Sequence, residues 1–460
     1  MNRIGRARAC FTAKVWEPSF WAFKKLGVFQ NYKLLRAQQW DNKETFRLRQ
    51  ASRLAALLRH AAEKIPYYQQ RISPSLLADI DKDPFHVLSQ WPVLEKKDLI
   101  ECAEKLKLEM GRGTFPNSTG GSTGTPVILF QDKVYQAASL AVTCLLFDWA
   151  GRPPGGPYVK IWGAQRDITH EGQGFAFWLG NVLGNRRILN CFYMTPEMMK
   201  YYVKVINGFR PLVVEGYVDG LFQLATFIQE KNLRIACPPR GVVTSAGTLL
   251  PHMRTSIEGT FQAPVFDRYG SREVGNVAAE CSEHHGLHIM GETSIIEIVD
   301  HEEIPLPPGK EGDVLVTNLW NYTMPLVRYR IGDRGVFASH TCRCGRPYPL
   351  LQAITGRVDS CFFRKDGGVV SPAFFVHFIG VVHNDGSIRE FQVVQKDYSH
   401  VVVPIVPRDG FRLEKWSKHL ILAEHIRKVM GPDCQVDFSI EKRIEKTPTG
   451  KHLYTVCEIN

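Results

Sequence analysis

Eight consecutive residues, Ser118 to Thr125, hold five hydroxyl side chains and three glycines, in the run Asn117-Ser118-Thr119-Gly120-Gly121-Ser122-Thr123-Gly124-Thr125-Pro126. Glycine lets the backbone reach positive φ and brings bare N–H groups close to an anion, while Ser and Thr add hydroxyl donors. Such a turn can wrap phosphate oxygens. No Gly-Lys-Ser/Thr closes it, so it is not the common triphosphatase loop. A flexible linker has similar composition. Against that, Pro126-Val127-Ile128-Leu129-Phe130 follows at once and predicts a buried strand that pins the loop.

At the far end, Glu445-Lys446-Thr447-Pro448-Thr449-Gly450-Lys451 presents a lysine on a tight turn, nine residues from the C-terminus. A lysine held this way is a movable point charge, suited to an oxygen that gains negative charge during a reaction. Between the two ends, Asp267-Arg268-Tyr269-Gly270-Ser271-Arg272-Glu273 places a ring and a carboxylate around a Gly-Ser turn. Arg328-Tyr329-Arg330-Ile331-Gly332-Asp333 ends a strand-like run with a carboxylate just after a glycine, and Gly356-Arg357-Val358-Asp359 follows. Singly, each is explained as a surface lysine, a turn, a salt bridge or a cap. Five in this order point to one site for a phosphate-bearing ligand.

With these segments the sequence resembles the adenylate-forming acid ligases, and within them the phenylacetate–CoA ligase-like branch, which includes relatives from capsular polysaccharide clusters. The resemblance extends over nearly the whole chain. Residues 54–61 followed by Ile65-Pro66-Tyr67-Tyr68, and Trp91-Pro92-Val93-Leu94-Glu95-Lys96-Lys97-Asp98-Leu99, are similar to that branch's N-terminal landmarks. The glycine loop, the Tyr-Gly-Ser-x-Glu turn, the Arg-Tyr-x-x-Gly-Asp segment and the Thr-Gly-Lys tail belong to the superfamily.

The family chemistry makes physical sense of these parts. A carboxylate is a poor acyl donor because it would have to expel oxide. Attack on the α-phosphorus of ATP gives an acyl-AMP anhydride and pyrophosphate, and a thiol or amine then displaces AMP. The protein must position anions and neutralise phosphate charge. The resemblance implies that Ser118, Thr119, Ser122, Thr123 and Thr125, with the Gly120, Gly121 and Gly124 amides, hold the β- and γ-phosphates. It implies Mg²⁺ on Glu273, a hard cation on an oxygen ligand. Tyr269, followed by Gly270 and Ser271, would stack on adenine, and Asp333 would accept from both ribose hydroxyls. Arg357 would contact ribose or phosphate, and Lys451 would bridge carboxylate and α-phosphate. Asp359 matches the hinge about which the C-terminal domain swivels. Glu215-Gly216-Tyr217 would line the acyl pocket.

Cysteine usage adds a separate feature. Eleven scattered cysteines do not read as a disulfide framework, which fits a reducing cytoplasm. Cys342-Arg343-Cys344-Gly345 and the upstream Cys281-Ser282-Glu283-His284-His285-Gly286-Leu287-His288 together offer donors for tetrahedral zinc, with three histidines competing for one position. Free thiols and surface histidines are the plainer alternative. Metal-bearing members of the branch place their ligands so as to favour Cys281, His288, Cys342 and Cys344, as a structural Zn²⁺ site.

These groups need a scaffold larger than one compact domain, and 460 residues supply it. The expected fold is α/β: a large N-terminal adenylate-forming domain of mixed sheets and helices, plus a small mobile C-terminal α+β domain. Residues 1–110 would form the helical part, 111–356 the ATP- and acid-binding core, and 357–460 the lid carrying Lys451. Short β-branched runs at 127–130, 158–162, 213–215, 241–245 and 265–267 alternate with helical stretches, which predicts partly parallel sheets. Residues 294–299 and 313–318 predict an antiparallel part. Strands near 392–395, 401–405 and 435–440, with a helix over 413–430, predict the small domain.

Apolar content of 44% and charged content of 22% are ordinary for a soluble enzyme. No run approaches the ~20 apolar residues of a spanning helix. Arg3, Arg6, Arg8 and Lys14 precede no apolar core, so no signal peptide is expected. A net charge of +11 suits polyanionic ATP, pyrophosphate and CoA, and without long basic blocks no nucleic-acid partner is expected. The segment 16–33, with Trp21, Phe23, Lys24 and Lys25, reads as a helix packed on the main body, with a membrane-surface helix as the alternative.

The resulting expectation is an AMP-forming ligase that joins a small carboxylic acid to CoA, with a homodimer left open. An amine or hydroxyl acceptor, as in polysaccharide or natural-product assembly, is the first alternative. A zinc-containing nucleic-acid-binding protein is the second, and it leaves the Ser118 loop and Lys451 unexplained.

Overall fold

A computed structural model describes residues 9, 11–16, 26–108, 113–118, 128–163, 175–191, 194–247, 249, 251–354, 362–366, 368–370, 374–375, 378–379, 387–407, 416, 418–445 and 454–459. Among these, the N-terminal quarter is helical, as its spacing predicts. Helix α1 (Val28–Gln38) buries Val28, Tyr32 and Leu35 on one face. Helix α2 (Lys43–Lys64) starts at Asn42, whose side chain accepts from the Thr45 N–H at 2.8 Å, and stops where Ile65 turns extended ahead of Pro66. Strands β1 (Phe115–Ser118) and β2 (Ile128–Gln131) pair antiparallel as an isolated hairpin. The predicted buried strand here is only half buried. Ile128 is 50% exposed and Leu129 2%, because a two-stranded hairpin has one covered face. Asp132 then caps α3 (Lys133–Trp149) by accepting from Tyr135 N–H.

Eleven strands make the main sheet, in the order β4-β3-β5-β6-β7-β8-β9-β13-β12-β11-β10. Strands β3 (Tyr158–Trp162), β4 (Arg186–Asn190), β5 (Val213–Tyr217), β6 (Gly241–Ser245) and β7 (Val265–Ser271) are parallel. Helices α4 (Phe175–Leu183), α5 (Pro196–Phe209), α6 (Val218–Glu230) and α7 (Pro251–Phe261) alternate with them. All five residues of β6 are buried, as a central parallel strand requires. From β7 onward the sheet is antiparallel, through β8 (Gly275–Glu280), β9 (Leu287–Ile289), β10 (Ser294–Val299), β11 (Glu311–Asn318), β12 (Tyr329–Phe337) and β13 (Leu350–Ile354).

A second, five-stranded sheet holds β16 (Ile388–Phe391), β17 (Val393–Asp397), β18 (His400–Pro407), β19 (Gln435–Ile440) and β20 (Thr455–Cys457). Helix α8 (Lys418–Met430) packs on it, and a small hairpin, β14 (Phe362–Phe363) with β15 (Val369–Val370), precedes it. The apolar core runs continuously from β3, β5 and α6 into Phe362, Phe375 and Phe391. A separate core packs α2 against β10, β11 and β12. Among the described residues, no helix is long and apolar enough to cross a membrane.

Candidate nucleotide site and metal centre

A cavity of about 350 Å³ opens at the C-terminal end of β7, where the sheet changes from parallel to antiparallel. Open α/β sheets bind ligands beyond the carboxyl ends of their strands. Tyr269, Gly270 and Ser271 form one wall, Ala246 and Gly247 beyond β6 another, and Asp333 reaches in from β12. The Tyr269 hydroxyl donates to Asp333 Oδ2 at 2.9 Å, and Asp333 is buried.

Backbone irregularities aim these groups. Asp313 opposes Arg334 and Leu315 opposes Arg330, so β11 advances two residues while β12 advances four. That bulge carries Asp333, and Gly332 inside it takes φ +86°. The motif around Asp333 therefore begins a strand; the sequence reading had it end one. Its arginines serve the scaffold. Arg328 bonds Glu297 and the Ser89 and Trp91 carbonyls, and Arg330 bonds Glu95, Asp313 and Glu303. Gly270 is required for a different reason: a Cβ there would lie 2.3 Å from the Gly275 carbonyl oxygen.

Glu273 does not line the cavity. It is half-buried on the turn after β7, close enough to Tyr135 at the start of α3 to push that phenol further upward, burial being the larger cause. Ser118 ends β1, so the hydroxyl-rich loop leaves from a hairpin fixed to this same turn. The fixing group is Gln131 on β2, which donates to the Arg272 carbonyl at 3.4 Å and accepts from Asn117 at 3.3 Å. Thr119, Gly120, Gly121, Ser122, Thr123, Gly124, Thr125, Arg357, Asp359 and Lys451 lie outside the described residues.

Sequence reasoning missed a charged network on the cavity floor. Arg254 on α7 donates to Glu280 at 2.6 Å, and His284 Nδ1 lies 3.3 Å from the same carboxylate. Glu280 also accepts from the Asp267 N–H at 2.9 Å. Burial, then repulsion from Glu280, pushes the Asp267 carboxyl up to about 6, although the Thr244 hydroxyl donates to it. Burial opposes ionisation of Glu280, yet His284 and Arg254 hold it below the ordinary range. Ala246 sits at φ +64°, strained for a residue with a Cβ. The small residues of Ser245-Ala246-Gly247 after a buried strand were the available signal. Glu215, by contrast, is buried inside the sheet and bonds Arg268 at 2.8 Å, with Lys160 at 3.9 Å.

At the ends of these strands, four predicted donors meet. One donor atom each from Cys281, His288, Cys342 and Cys344 lies within 4.8 Å of the others. Cys281 and Cys342 sulfurs are 3.6 Å apart, and Cys344 Sγ is 3.2 Å from His288 Nε2. Tetrahedral zinc with Zn–S bonds of ~2.3 Å sets sulfurs about 3.8 Å apart, so the donor set fits that ion. Burial, then the Arg346 guanidinium, lowers His288 to about 4, which keeps its ring neutral. His284, one of the competing histidines, belongs to the cavity instead. Burial pushes the Cys281 thiol up to about 12, an unfavourable setting for a bare thiolate and a good one for a metal-bound sulfur.

Proteins similar in sequence and in fold are known. Residues 362–458 match the family model of the CapK C-terminal domain. Protein CapK of Staphylococcus aureus is 24% identical over 373 residues, covering 81% of this chain and 80% of CapK. A phenylacetate–coenzyme A ligase of Thermus thermophilus is 24% identical over 381 residues, 76% of this chain and 81% of that enzyme. One from Escherichia coli is 26% identical over 333 residues, 67% and 70% respectively. Over most of its length the chain resembles CapK and the phenylacetate–CoA ligases. A solved 2-hydroxyisobutyryl-CoA ligase superposes with a TM-score of 0.63 at 18% identity, covering 92% of each chain. The two chains share one fold.

Proposed function

We propose that the protein activates a carboxylic acid with ATP and passes the acyl group to CoA. The observation that carries this reading is the Tyr269–Asp333 hydrogen bond in the cavity wall. It sets an aromatic ring beside a buried carboxylate, the pair needed for a base and a ribose. The identity with phenylacetate–CoA ligases supports the acid and the acceptor. In the first step a carboxylate oxygen attacks the α-phosphorus, and pyrophosphate leaves with the electrons of the broken P–O bond. In the second the CoA sulfur attacks the acyl carbon and AMP departs.

Tyr269 faces adenine and Asp333 accepts from the ribose hydroxyls. The Ser118–Thr125 loop and Arg357 meet the phosphates, Lys451 bridges the reacting anions, and Asp359 is the hinge. Glu273 would hold Mg²⁺, which offsets phosphate charge. Cys281, His288, Cys342 and Cys344 would hold a structural zinc that ties the β8–β9 turn to the β12–β13 loop.

The test is acid-dependent exchange of labelled pyrophosphate into ATP, with hydroxylamine trapping of the activated acid across aryl, aliphatic and amino acids. CoA-dependent AMP release is the expected second readout; release driven by an amine or hydroxyl instead would move the acceptor to that class. Lys451→Ala should abolish pyrophosphate release while sparing thioester formation from supplied acyl-AMP. No exchange with any acid and no ATP binding by calorimetry would overturn the reading.

A further inference from the structure

The chain's charge is concentrated at one end. Its first forty residues contain eight Lys and Arg against a single acid, Glu17, so +7 of the net +11 resides there. The nucleotide site accounts for none of it. Part of this segment is placed by the fold. A turn of π-helix, Thr12–Trp16, is tethered by the Thr12 hydroxyl to the Leu183 carbonyl at 2.9 Å, and α1 docks on α3. Between them an open groove of about 640 Å³ is lined by Lys14, Lys33 and Arg36 together with Phe29, Trp40 and Pro154.

Two properties of this groove are those of a water–bilayer boundary. Arg36 is paired with Asp148 at 3.0 Å, but among the described residues neither Lys14 nor Lys33 is in an ion pair, and α1 has no acid. Large apolar side chains of the same elements are exposed: Trp40 in the groove lining is 57% exposed, and on the flanking turn and helix Phe11 is 47%, Val15 48% and Leu34 43% exposed. Cations beside exposed aromatic and aliphatic groups suit phosphate headgroups above and acyl chains below. A nucleic acid would leave Val15 and Leu34 without a role. The groove shares no residue with the nucleotide cavity.

We propose that this groove is a peripheral docking site for an anionic phospholipid surface. The test is co-sedimentation of the full chain with vesicles containing about 25% phosphatidylglycerol, against pure phosphatidylcholine, at low and high salt. Binding should require the anionic lipid and fade as salt screens charges beyond the ~10 Å Debye length. Each basic side chain near such a surface contributes roughly five-fold in affinity. Lys14→Ala with Lys33→Ala should therefore weaken partitioning about thirtyfold, and Trp40→Ser should weaken it further while leaving the salt dependence in place. Melting temperature of the lysine double variant, and its pyrophosphate exchange in solution, should match the parent's. Equal binding to neutral vesicles, indifference to the lysine substitutions, or tight binding to duplex DNA without vesicle binding would each overturn the proposal. Loss of catalysis leaves this result untouched, because the readout is lipid partitioning.

Discussion

The nucleotide cavity and the thiol–imidazole cluster draw on adjacent residues of the chain, yet they are built by opposite means. Glu280 lines the cavity and its neighbour Cys281 belongs to the cluster; Leu287 lines the cavity and His288 belongs to the cluster. Successive residues of a strand face opposite sides, so one stretch of chain serves both. The cavity is shaped by backbone departures: the bulge at Asp333, Gly270 against a carbonyl, Ala246 in the left-handed region. The cluster is shaped by side chains converging from two turns. Removing a side chain that this backbone aims into the cavity should cost function before stability, whereas removing the converging donors of the cluster should cost stability first.

Replacing Cys342 and Cys344 together by Ser gives the largest expected effect. With zinc bound in the parent, the variant should lose several kcal/mol of stability and melt far lower, as should the parent treated with a strong chelator. Elemental analysis should find about one zinc per parent chain. A metal-free protein that melts with its variant would erase the contrast between the two sites.

Asp333→Ala should act the other way. Losing a buried carboxylate that accepts from ribose should raise KM for ATP by up to about a hundredfold, the worth of hydrogen bonds to a charged group, with melting nearly unchanged. A variant that binds ATP normally would remove Asp333 from the nucleotide site. Gly270→Ala sharpens the comparison further. Its Cβ would meet the Gly275 oxygen at 2.3 Å, so the β7–β8 turn must shift, at about 3 kcal/mol. Both melting temperature and ATP affinity should fall, where Asp333→Ala moves only the second.

The uneven legibility of the sequence follows from the same distinction. Strands such as β6 announce themselves as short β-branched runs, so four of the five parallel strands were readable from residues alone, while β4, with two arginines and an asparagine in five residues, was not. Tyr269, Asp333 and the choice of His288 among three histidines came from the family resemblance, while the cysteine cluster stood out by its own chemistry. The bulge that aims Asp333 was not readable, since it arises from pairing with β11, about twenty residues away in sequence. The network of Arg254, Glu280 and His284 was not legible for the same reason, His284 reading only as a competitor for the metal: charged residues read as surface until packing brings three together under a cavity. In the half-buried β2, apolar residues signalled a strand without showing how many neighbours would cover it.

Asp267 supplies the smallest and most particular test, because it lies on the cavity side yet bears on stability. Its carboxyl is pushed from the ordinary 3.8 up to about 6 by burial and by Glu280. A folded value above the unfolded one means the folded chain prefers the protonated form. The associated stabilisation is complete below pH 4 and is lost as pH rises through 6. Asp267→Asn keeps an acceptor for the Thr244 hydroxyl and never ionises, so it should match the parent near pH 4. Above pH 7 it should be the more stable protein by about 3 kcal/mol, at about 1.4 kcal/mol for each unit between the two values. Denaturant unfolding of both proteins between pH 4 and 8 reads the difference directly. A gap that is constant with pH would show that Asp267 ionises in the folded chain as it does in the unfolded one, and that the cavity floor holds no like-charge strain.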